Sequence, residues 1–372
     1  MSKEIKEIAQ LFFKLGCIAF GGPASHIVMM EYEVVTKRKW MSQSHFLDLI
    51  GTTNLIPGPN STEMTMHCGY ERGGYKGLIV AGISFIFPAV LITAIFAWLY
   101  TTYGELPLVT PFIYGIKPAV LAIILMAGYK LGKKAIKTTF LGILGFVAII
   151  CCFLGLNAFQ ILILTGILGL TIPLSKKLKN KNLSLLPFPF LLAVTSPVKV
   201  KSLSVFFIFL KIGAILYGSG YVLFAFLDHE LVQTGLLSRQ ELLDAVAVGQ
   251  MTPGPVLSTA TFIGWQLNSF SGALLATLGI FLPSFIFVAL LNPIIPKLRN
   301  SVWVSAFLDA VNIAAVALIL FVCYEMGRET LVDWKTIVIA LLSAVVVFVF
   351  KKLNPAFIVI GGALLGYLLT YI

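Results

Sequence analysis

Long apolar stretches alternate with short polar segments along most of the chain, and they fall into two similar sets. Each set opens with an apolar helix that glycines interrupt, near 8–30 and 204–226. A more polar segment that carries a Pro-Gly-Pro turn follows, near 45–70 and 240–264. Stretches of about 20 apolar residues can cross the hydrocarbon layer of a bilayer. The pattern therefore predicts an all-α, polytopic integral membrane protein.

Four long apolar helices are predicted at the end of each set. They lie near 77–100, 112–129, 139–155 and 158–174 in the first set, and near 272–291, 303–323, 335–350 and 355–371 in the second. Between the sets, a lysine-rich stretch contains one short apolar patch at 183–198. We therefore divide the chain into a first repeat (1–174), a linker (175–202) and a second repeat (203–372).

Short motifs recur in the same order in both repeats, which is the mark of a duplication. The segment 12–16, Phe-Phe-Lys-Leu-Gly, recurs at 209–213 as Phe-Leu-Lys-Ile-Gly, and Pro-Gly-Pro occurs at both 57–59 and 253–255. The spacing between equivalent residues drifts only from 197 to 195 along the chain. Only two single-residue gaps are needed to keep that register.

Composition agrees with a chain that lipid solvates. Hydrophobic residues make up 58% of it and charged residues 12%, whereas soluble domains carry roughly 25% charged residues. The net charge of +11 comes from basic residues in short loops, as in membrane proteins with positive cytoplasmic loops. This distribution argues against nucleic-acid binding.

The loop charges also indicate how the repeats are oriented. Arg72 and Lys76 precede the predicted helix 77–100, whereas Lys297 and Arg299 follow its equivalent, 272–291. Because basic loops face the cytoplasm, these two helices are expected to run in opposite directions. Inverted repeats of this kind are typical of secondary transporters. The number of crossings per repeat stays open.

No motif for a cofactor, a metal or a catalytic centre is present. The five cysteines have no metal-site spacing, and we interpret them as small hydrophobic residues. Walker, Gly-x-Gly-x-x-Gly and His-Glu-x-x-His motifs are missing. We therefore expect a transporter rather than an enzyme, with neither cofactor nor metal.

Two glycine clusters interrupt apolar helices at equivalent positions, Gly21-Gly22-Pro23 and Gly218-Ser219-Gly220. A helix that breaks inside lipid exposes backbone polar groups, which is tolerated where they line a cavity or meet protein. Paired breaks therefore favour unwound binding segments. The alternative is close helix packing through small residues.

The Pro-Gly-Pro turns are the most informative candidates for a binding site. Pro59 suits the first turn of a helix, so the residues after it place donors at a positive helix end, where oxyanions bind. The second copy offers a similar arrangement. The alternative is an extramembrane turn. The glycine clusters are candidate binding residues, and so are the following residues at the turns: Asn54, Pro57, Gly58, Pro59, Asn60, Ser61, Thr62, Gln250, Thr252, Pro253, Gly254, Pro255 and Ser258.

Charged residues in or near the apolar helices are the second signal. Lys14 and Lys211 are repeat equivalents that either neutralise a bound anion or reach the membrane surface as anchors. His26 is a further candidate for the substrate site. Ion coupling is assigned to Glu31, Glu33 and Glu63.

The chain resembles the chromate ion transporter family in its two-domain form. The resemblance rests on the segments 13–16 and 20–23, on Pro-Gly-Pro at 57–59, and on further single residues, namely His26, Glu31, Glu33, Trp40, Asp48, Gly69, Tyr70, Gly73 and Gly77. It implies a membrane carrier that exports chromate, with sulfate as the related anion. The second repeat departs from the motif at Gly218-Ser219-Gly220 and at Gln250, so an asymmetric site is expected.

We therefore expect a multi-pass carrier of the cytoplasmic membrane that moves a tetrahedral oxyanion, with chromate favoured and sulfate related. The expected partners are that anion, the lipid bilayer and a second copy of the chain in a homodimer. A carrier for another small inorganic or organic anion, and a passive anion channel, are the alternatives.

Overall fold

The helical architecture is seen in a computed structural model. It describes residues 2–20, 22–53, 56–104, 106, 108–171, 202–217, 220–291, 301–350 and 353–370. These residues form helices and connecting turns, and none of them is in a β-strand. Of the predicted site residues, Gly21, Asn54, Gly218 and Ser219 lie outside the described part, as does the linker up to residue 201.

The described residues of the first repeat form seven α-helices. They are α1 (Lys3–Ile18), α2 (Pro23–Glu31), α3 (Gln43–Thr53), α4 (Asn60–Tyr103), α5 (Thr110–Ala135), α6 (Thr139–Phe153) and α7 (Ala158–Gly169). A π-helical segment, Tyr32–Lys37, continues α2.

The second repeat follows the same order. It contains α8 (Ser202–Ile215), α9 (Leu223–Leu227), α10 (Arg239–Met251), α11 (Thr259–Leu291), α12 (Val302–Thr330), α13 (Trp334–Val349) and α14 (Pro355–Thr370). A π-helical segment, Asp228–Val232, continues α9, and short 3₁₀ turns lie at Gly220–Val222 and Val256–Ser258. The predicted duplication is confirmed element by element.

Helix α4 is two helices joined by a sharp turn. As a straight helix its 44 residues would measure about 66 Å, more than twice the hydrocarbon thickness. The backbone leaves the helical conformation at Gly73 and Gly74. A Cβ on Gly77 would overlap the carbonyl group of Gly69, and two residues this far apart on one straight helix could not touch. The segment 60–72 therefore folds back on 75–103, and α11 does the same at Asn268 and Ser269.

Each of the predicted broken helices, 8–30 and 204–226, is two helices between which the chain reverses direction. Lys14 forms an ion pair with Glu33 at 3.3 Å, and Lys211 forms one with Glu230 at 2.7 Å. Residues 19 positions apart can meet in this way only if the chain reverses between them. α1 and α2 therefore form a helical hairpin with its tip just after Ala19, and α8 and α9 form its equivalent.

The Pro-Gly-Pro turn is the tip of a second hairpin in each repeat. His45 in α3 lies 3.1 Å from Glu71 near the end of segment 60–72, so these helices run antiparallel about residue 58. Arg72 also contacts Glu7 of α1 at 3.2 Å. The two hairpins of the first repeat therefore share one base, and both tips point away from it.

The hairpins of the two repeats approach α4 from opposite ends. Ile8 of α1 packs where α4 begins its second segment, at Gly77. At the other end of that segment, Trp265 of α11 donates a hydrogen bond to Thr101 at 3.3 Å. The first repeat's hairpin therefore covers the start of 75–103, and the second repeat's covers its end. This geometry confirms the predicted inverted arrangement.

A stripe of apolar side chains marks the lipid-facing surface. In α4 every fourth side chain from Ile79 to Ile95 is exposed, and in α11 the equivalent positions from Leu274 to Leu290 are exposed as well. A water-soluble protein rarely exposes contiguous apolar patches of this kind. The chain is a multi-pass membrane protein.

The expectation of four long helices at the end of each repeat was wrong for the last two in both repeats. α6 and α7 have 15 and 12 residues, and α13 and α14 have 16 each. At about 18 to 24 Å they are short of the hydrocarbon thickness. α6 and α7 pack against α12 of the second repeat, and α13 and α14 pack against α5 of the first. The repeats therefore interlock around the contact between α5 and α12.

Candidate functional site

The four hairpin tips meet at the middle of the molecule. The amide of Gly58 donates a hydrogen bond of 2.6 Å to the carbonyl of Leu216, and the amide of Gly254 donates one of 2.8 Å to the carbonyl of Ala19. Ala19 and Leu216 are equivalent positions at the ends of the first hairpins. Each Pro-Gly-Pro turn therefore docks at the end of the first helix of the other repeat.

Both central glycines are required by their surroundings. Gly58 and Gly254 have φ angles of +139° and +85°, which residues with a Cβ adopt only with strain. A Cβ on Gly254 would also lie 2.9 Å from Ala89, and one on Gly58 would overlap Ser284 and Glu63. Ala89 is halfway along the segment 75–103, so the tips lie near the membrane midplane, where transporters place substrates.

New helices begin directly after each Pro-Gly-Pro turn. Pro59 is the N-cap of α4, one position earlier than predicted, and Asn60 is its first residue. In the second repeat a 3₁₀ turn precedes α11. The first turn of a helix presents unsatisfied N–H groups and the positive end of the dipole. Both helix starts therefore direct donors toward the midplane.

Hydroxyl groups from both repeats form a cluster on one side of the tips. Thr93 of α4 donates to Thr252 at 3.4 Å and to Ser258 at 3.2 Å, and all three side chains are buried. Thr252 and Ser258 were predicted from the sequence, whereas Thr93 was missed. The available signal was a hydroxyl in the middle of an apolar helix.

A buried carboxyl group occupies the equivalent place on the other side. Glu63 is fully buried and forms no ion pair in the described part of the chain, and the Ser284 hydroxyl is its hydrogen-bonding neighbour. The Ser284 hydroxyl, which the sequence did not single out, lies beside Gly58 with Glu63. The repeat equivalents of Glu63 and Ser284 are Thr259 and Ala89. The site is therefore asymmetric, with a carboxyl group on one side and hydroxyls on the other.

His26 braces the tip of the first hairpin. Its Nε2 atom donates to the carbonyl of Ala19 at 3.0 Å, the same carbonyl that accepts the amide of Gly254. Its Nδ1 atom has no hydrogen-bond partner among the described residues. The equivalent position in the second repeat is Leu223, so this contact exists on one side only.

The remaining polar candidates lie around the same tips. Asn60 and Gly22 face a cavity, and Ser61 and Thr62 are buried in the first turn of α4. Gln250 accepts a hydrogen bond of 3.4 Å from Tyr221. The sequence prediction therefore brought together residues that the fold does place side by side.

The two predicted lysines and two of the glutamates belong to the hairpins instead. Lys14 and Lys211 are both ion-paired with a glutamate of their own hairpin, Glu33 and Glu230. Burial would raise the pKa of Glu33, but Arg38 and Lys14 outweigh it and hold that pKa below its usual value. Glu31 accepts a hydrogen bond from Gln43 near the hairpin base.

A cavity of about 990 Å³ leads to the tips from one side. Phe20, Gly22, Pro23 and Ser25 of the first hairpin lie along it, together with Asn60 and Tyr221. Its outer wall carries Lys130, Lys134 and Lys137. A small polyatomic anion fits easily in this volume.

The equivalent region of the other repeat is closed. Arg239 at the start of α10 contacts Asp228 at 2.9 Å, Glu325 at 3.2 Å and Glu329 at 2.7 Å. A void of about 20 Å³ lies beside Asp228. In the described part of the chain, the tips are therefore reached through a cavity on one side and covered by an ion-pair cluster on the other.

Comparison with known proteins places this architecture in a family. The model of the chromate transporter family matches residues 6–170 and 203–367, once in each repeat. No solved structure matches the chain.

Curated relatives match over nearly the whole length. The probable chromate transport protein of Synechococcus elongatus is 30% identical, covering 97% of this chain and 95% of that protein. The chromate transport protein of Cupriavidus metallidurans is 29% identical, covering 97% and 92%. That of Pseudomonas aeruginosa is 27% identical, covering 96% and 90%. The chain therefore belongs to the chromate transporter family.

Proposed function

We propose that this protein is a secondary carrier that exports a tetrahedral oxyanion across the cell membrane, with chromate as the favoured substrate and sulfate as a related one. The observation that carries the proposal is the reciprocal docking of Gly58 on Leu216 and of Gly254 on Ala19. It brings two helix starts and two hairpin tips from opposite repeats to one point. The names of the relatives support chromate as the anion.

The anion is bound between the hairpin tips. Helix N-termini stabilise anions through free N–H groups and the dipole. Thr93, Thr252 and Ser258 add hydroxyl groups from both repeats, which can rotate to donate to an anion. A tetrahedral oxyanion presents four acceptor oxygens, so donors that converge from several directions suit it better than a planar carboxylate.

Glu63 carries the coupling ion in this proposal. An ionised carboxylate without a charged partner in a low-dielectric site is very costly and needs a balancing charge. A bound proton would supply it, and its release would repel an anion held at the neighbouring tips. Glu63 is the candidate for coupling among the three predicted glutamates because Glu31 and Glu33 already have partners near the hairpin base.

A carrier is favoured over a passive channel by the two unequal sides. A channel needs a continuous path, whereas the cavity reaches the tips from one side and Arg239 binds three carboxylates on the other. One open and one closed side is the arrangement that alternating access requires. A carrier for another small anion remains the second candidate, and its substrate would compete at the same tips.

The test is uptake into proteoliposomes with a panel of labelled oxyanions at set pH gradients. We expect saturable chromate transport that sulfate inhibits and that a pH gradient accelerates. Flux that rises linearly with concentration and ignores the gradient would establish a channel. A saturable flux of a different anion, with no chromate transport, would replace the substrate and leave the carrier in place.

Glu63→Gln tests the coupling role directly. Because glutamine keeps the shape but binds no proton, we expect exchange of anion across the membrane to persist while acceleration by the pH gradient is lost. Glu31→Gln serves as the control, since its carboxylate accepts a hydrogen bond near the hairpin base. A pH dependence that survives in Glu63→Gln would remove Glu63 from the coupling mechanism.

A further inference from the structure

Two lysines in the cavity wall have no ionic partner in the described part of the chain. Lys130 and Lys134 lie one helical turn apart on α5 and both face the cavity. Neither forms an ion pair in the part of the chain that the structure describes, whereas Lys137 in the same wall binds Asp309 at 2.6 Å. The wall therefore carries two uncompensated positive charges.

The other repeat has the opposite charge at the same two positions. The equivalents of Lys130 and Lys134 are Glu325 and Glu329, and Arg239 neutralises both of them. Duplication alone would have produced matching charges. The positive wall is therefore a feature of the open side, not of the fold.

The cavity joins this wall to the hairpin tips. Gly22 and Asn60 line it at the tips, and mainly apolar side chains of α5 and α12 line it in between. Like charges in a cleft with apolar walls raise the local concentration of counter-ions. In the same positive potential, the electrostatic free energy of a dianion is lowered twice as much as that of a monovalent anion.

We propose that Lys130 and Lys134 form an anion-recruiting wall, at which a divalent oxyanion binds before it moves to the hairpin tips. This deepens the proposed function and rests on it for the identity of the anion. If these lysines only set the membrane topology, their replacement should have the same effect as replacement of the neighbouring Lys133, which is exposed but does not line the cavity. Lys133 is therefore the matched control.

The charge of the wall can be measured without any transport substrate. Asn312 of α12 lines the same cavity, and Asn312→Cys is made in a background without the five native cysteines. We expect an anionic methanethiosulfonate reagent to react about tenfold faster than a cationic one, because the wall concentrates anions. Lys130→Gln with Lys134→Gln should abolish this preference, and Lys133→Gln should preserve it.

Transport supplies the second measurement. At low salt we expect the KM for chromate to rise about three- to tenfold in Lys130→Gln and Lys134→Gln with little change in maximal rate, and the difference to shrink as salt screens the wall. Lys134→Arg should restore the wild-type KM. An unchanged reagent preference in the double variant, or an equal effect of Lys133→Gln, overturns the proposal. If the reagent preference is as expected but chromate is not transported, the anion-recruiting role of the two lysines is supported and chromate is rejected as the substrate.

Discussion

At the scale of single residues, the site depends on two glycines whose conformations differ from those of ordinary residues. Gly58 and Gly254 have positive φ angles and donate the two hydrogen bonds that join the repeats. Each amide lies against a backbone carbonyl of the opposite repeat. At Gly58 a side chain would also overlap Ser284. We expect the loss of either contact to separate the tips that form the proposed site.

We expect Gly58→Ala and Gly254→Ala to reduce transport at least tenfold. The added Cβ strains the backbone and collides with Ser284 in one case and Ala89 in the other. Gly361→Ala is the control, since a Cβ there meets nothing within 4 Å. Uptake is compared after normalising for protein in the membrane, and wild-type rates in both variants would show that the tips tolerate separation.

The hydroxyl cluster gives a second residue-scale prediction. Ser258→Ala and Thr93→Val remove donors from the proposed anion site, and a hydrogen bond to a charged group is worth about 1.5–3 kcal/mol, or roughly 10- to 150-fold in affinity. Thr62→Val should act in the same direction from the other helix start. Ser343→Ala, a buried hydroxyl in α13, controls for the loss of a buried polar group. Binding of labelled chromate by the purified protein decides the matter, and unchanged affinity in all three variants would reduce the cluster to a packing role.

At the scale of elements, hairpins rather than spanning helices build the centre of the protein. α1 with α2, and α3 with the start of α4, reach the midplane and return, so their tips carry the irregular backbone. Non-helical backbone at membrane depth is tolerated where protein surrounds it. Here each tip is covered by a tip of the other repeat, so the exposed amides of Gly58 and Gly254 find carbonyl partners.

The Arg239 cluster should act as the lock on the closed side. Arg239→Gln removes a charge that three carboxylates share, and breaking a buried ion pair is strongly destabilising. We expect a cysteine at Leu318, beside the small void, to react with a thiol reagent at least tenfold faster in this variant. Arg328→Gln is the control, because Arg328 is largely exposed and lies 3.9 Å from Glu325, and surface pairs contribute little. Equal rates in both variants would mean that other contacts close this side.

At the scale of the whole molecule, inversion explains why one duplicated sequence yields two different sides. The same hairpins enter from opposite membrane faces, so every substitution between the repeats becomes a difference between the faces. The clearest case is the charge reversal from Lys130 and Lys134 in the first repeat to Glu325 and Glu329 in the second. The long helices α4, α5, α11 and α12 form the frame. Of these, α5 packs against α13 and α14 of the opposite repeat.

Inversion predicts opposite labelling at two equivalent positions. Tyr75 and Phe270 directly follow the sharp turns in α4 and α11, and both are exposed. In a cysteine-free background we expect Tyr75→Cys to react with an impermeant thiol reagent from one face only and Phe270→Cys from the other. Labelling of both from the same face would contradict the inverted arrangement. Gly104→Cys, at the far end of α4, should be labelled from the same face as Phe270→Cys.

Local patterns in the sequence already determined much of this protein. Apolar stretches, repeated glycine clusters and the two Pro-Gly-Pro turns specify membrane helices, a duplication and the places where helices end, because each depends on neighbouring residues alone. The loop charges around 77–100 and 272–291 also predicted inversion, since charge bias acts on each segment as it inserts.

Only the tertiary structure decided how those segments meet. A helix break does not state whether the chain continues or reverses, and the ion pairs of Lys14 and Lys211 show that it reverses. Thr93 and Ser284 join the site through contacts with residues of the other repeat, which no local pattern encodes. For the same reason the sequence alone could not distinguish Lys130 and Lys134, which face the cavity, from Lys133, which does not. Such contacts arise from packing between residues far apart in the chain, and they turn two similar repeats into one asymmetric site.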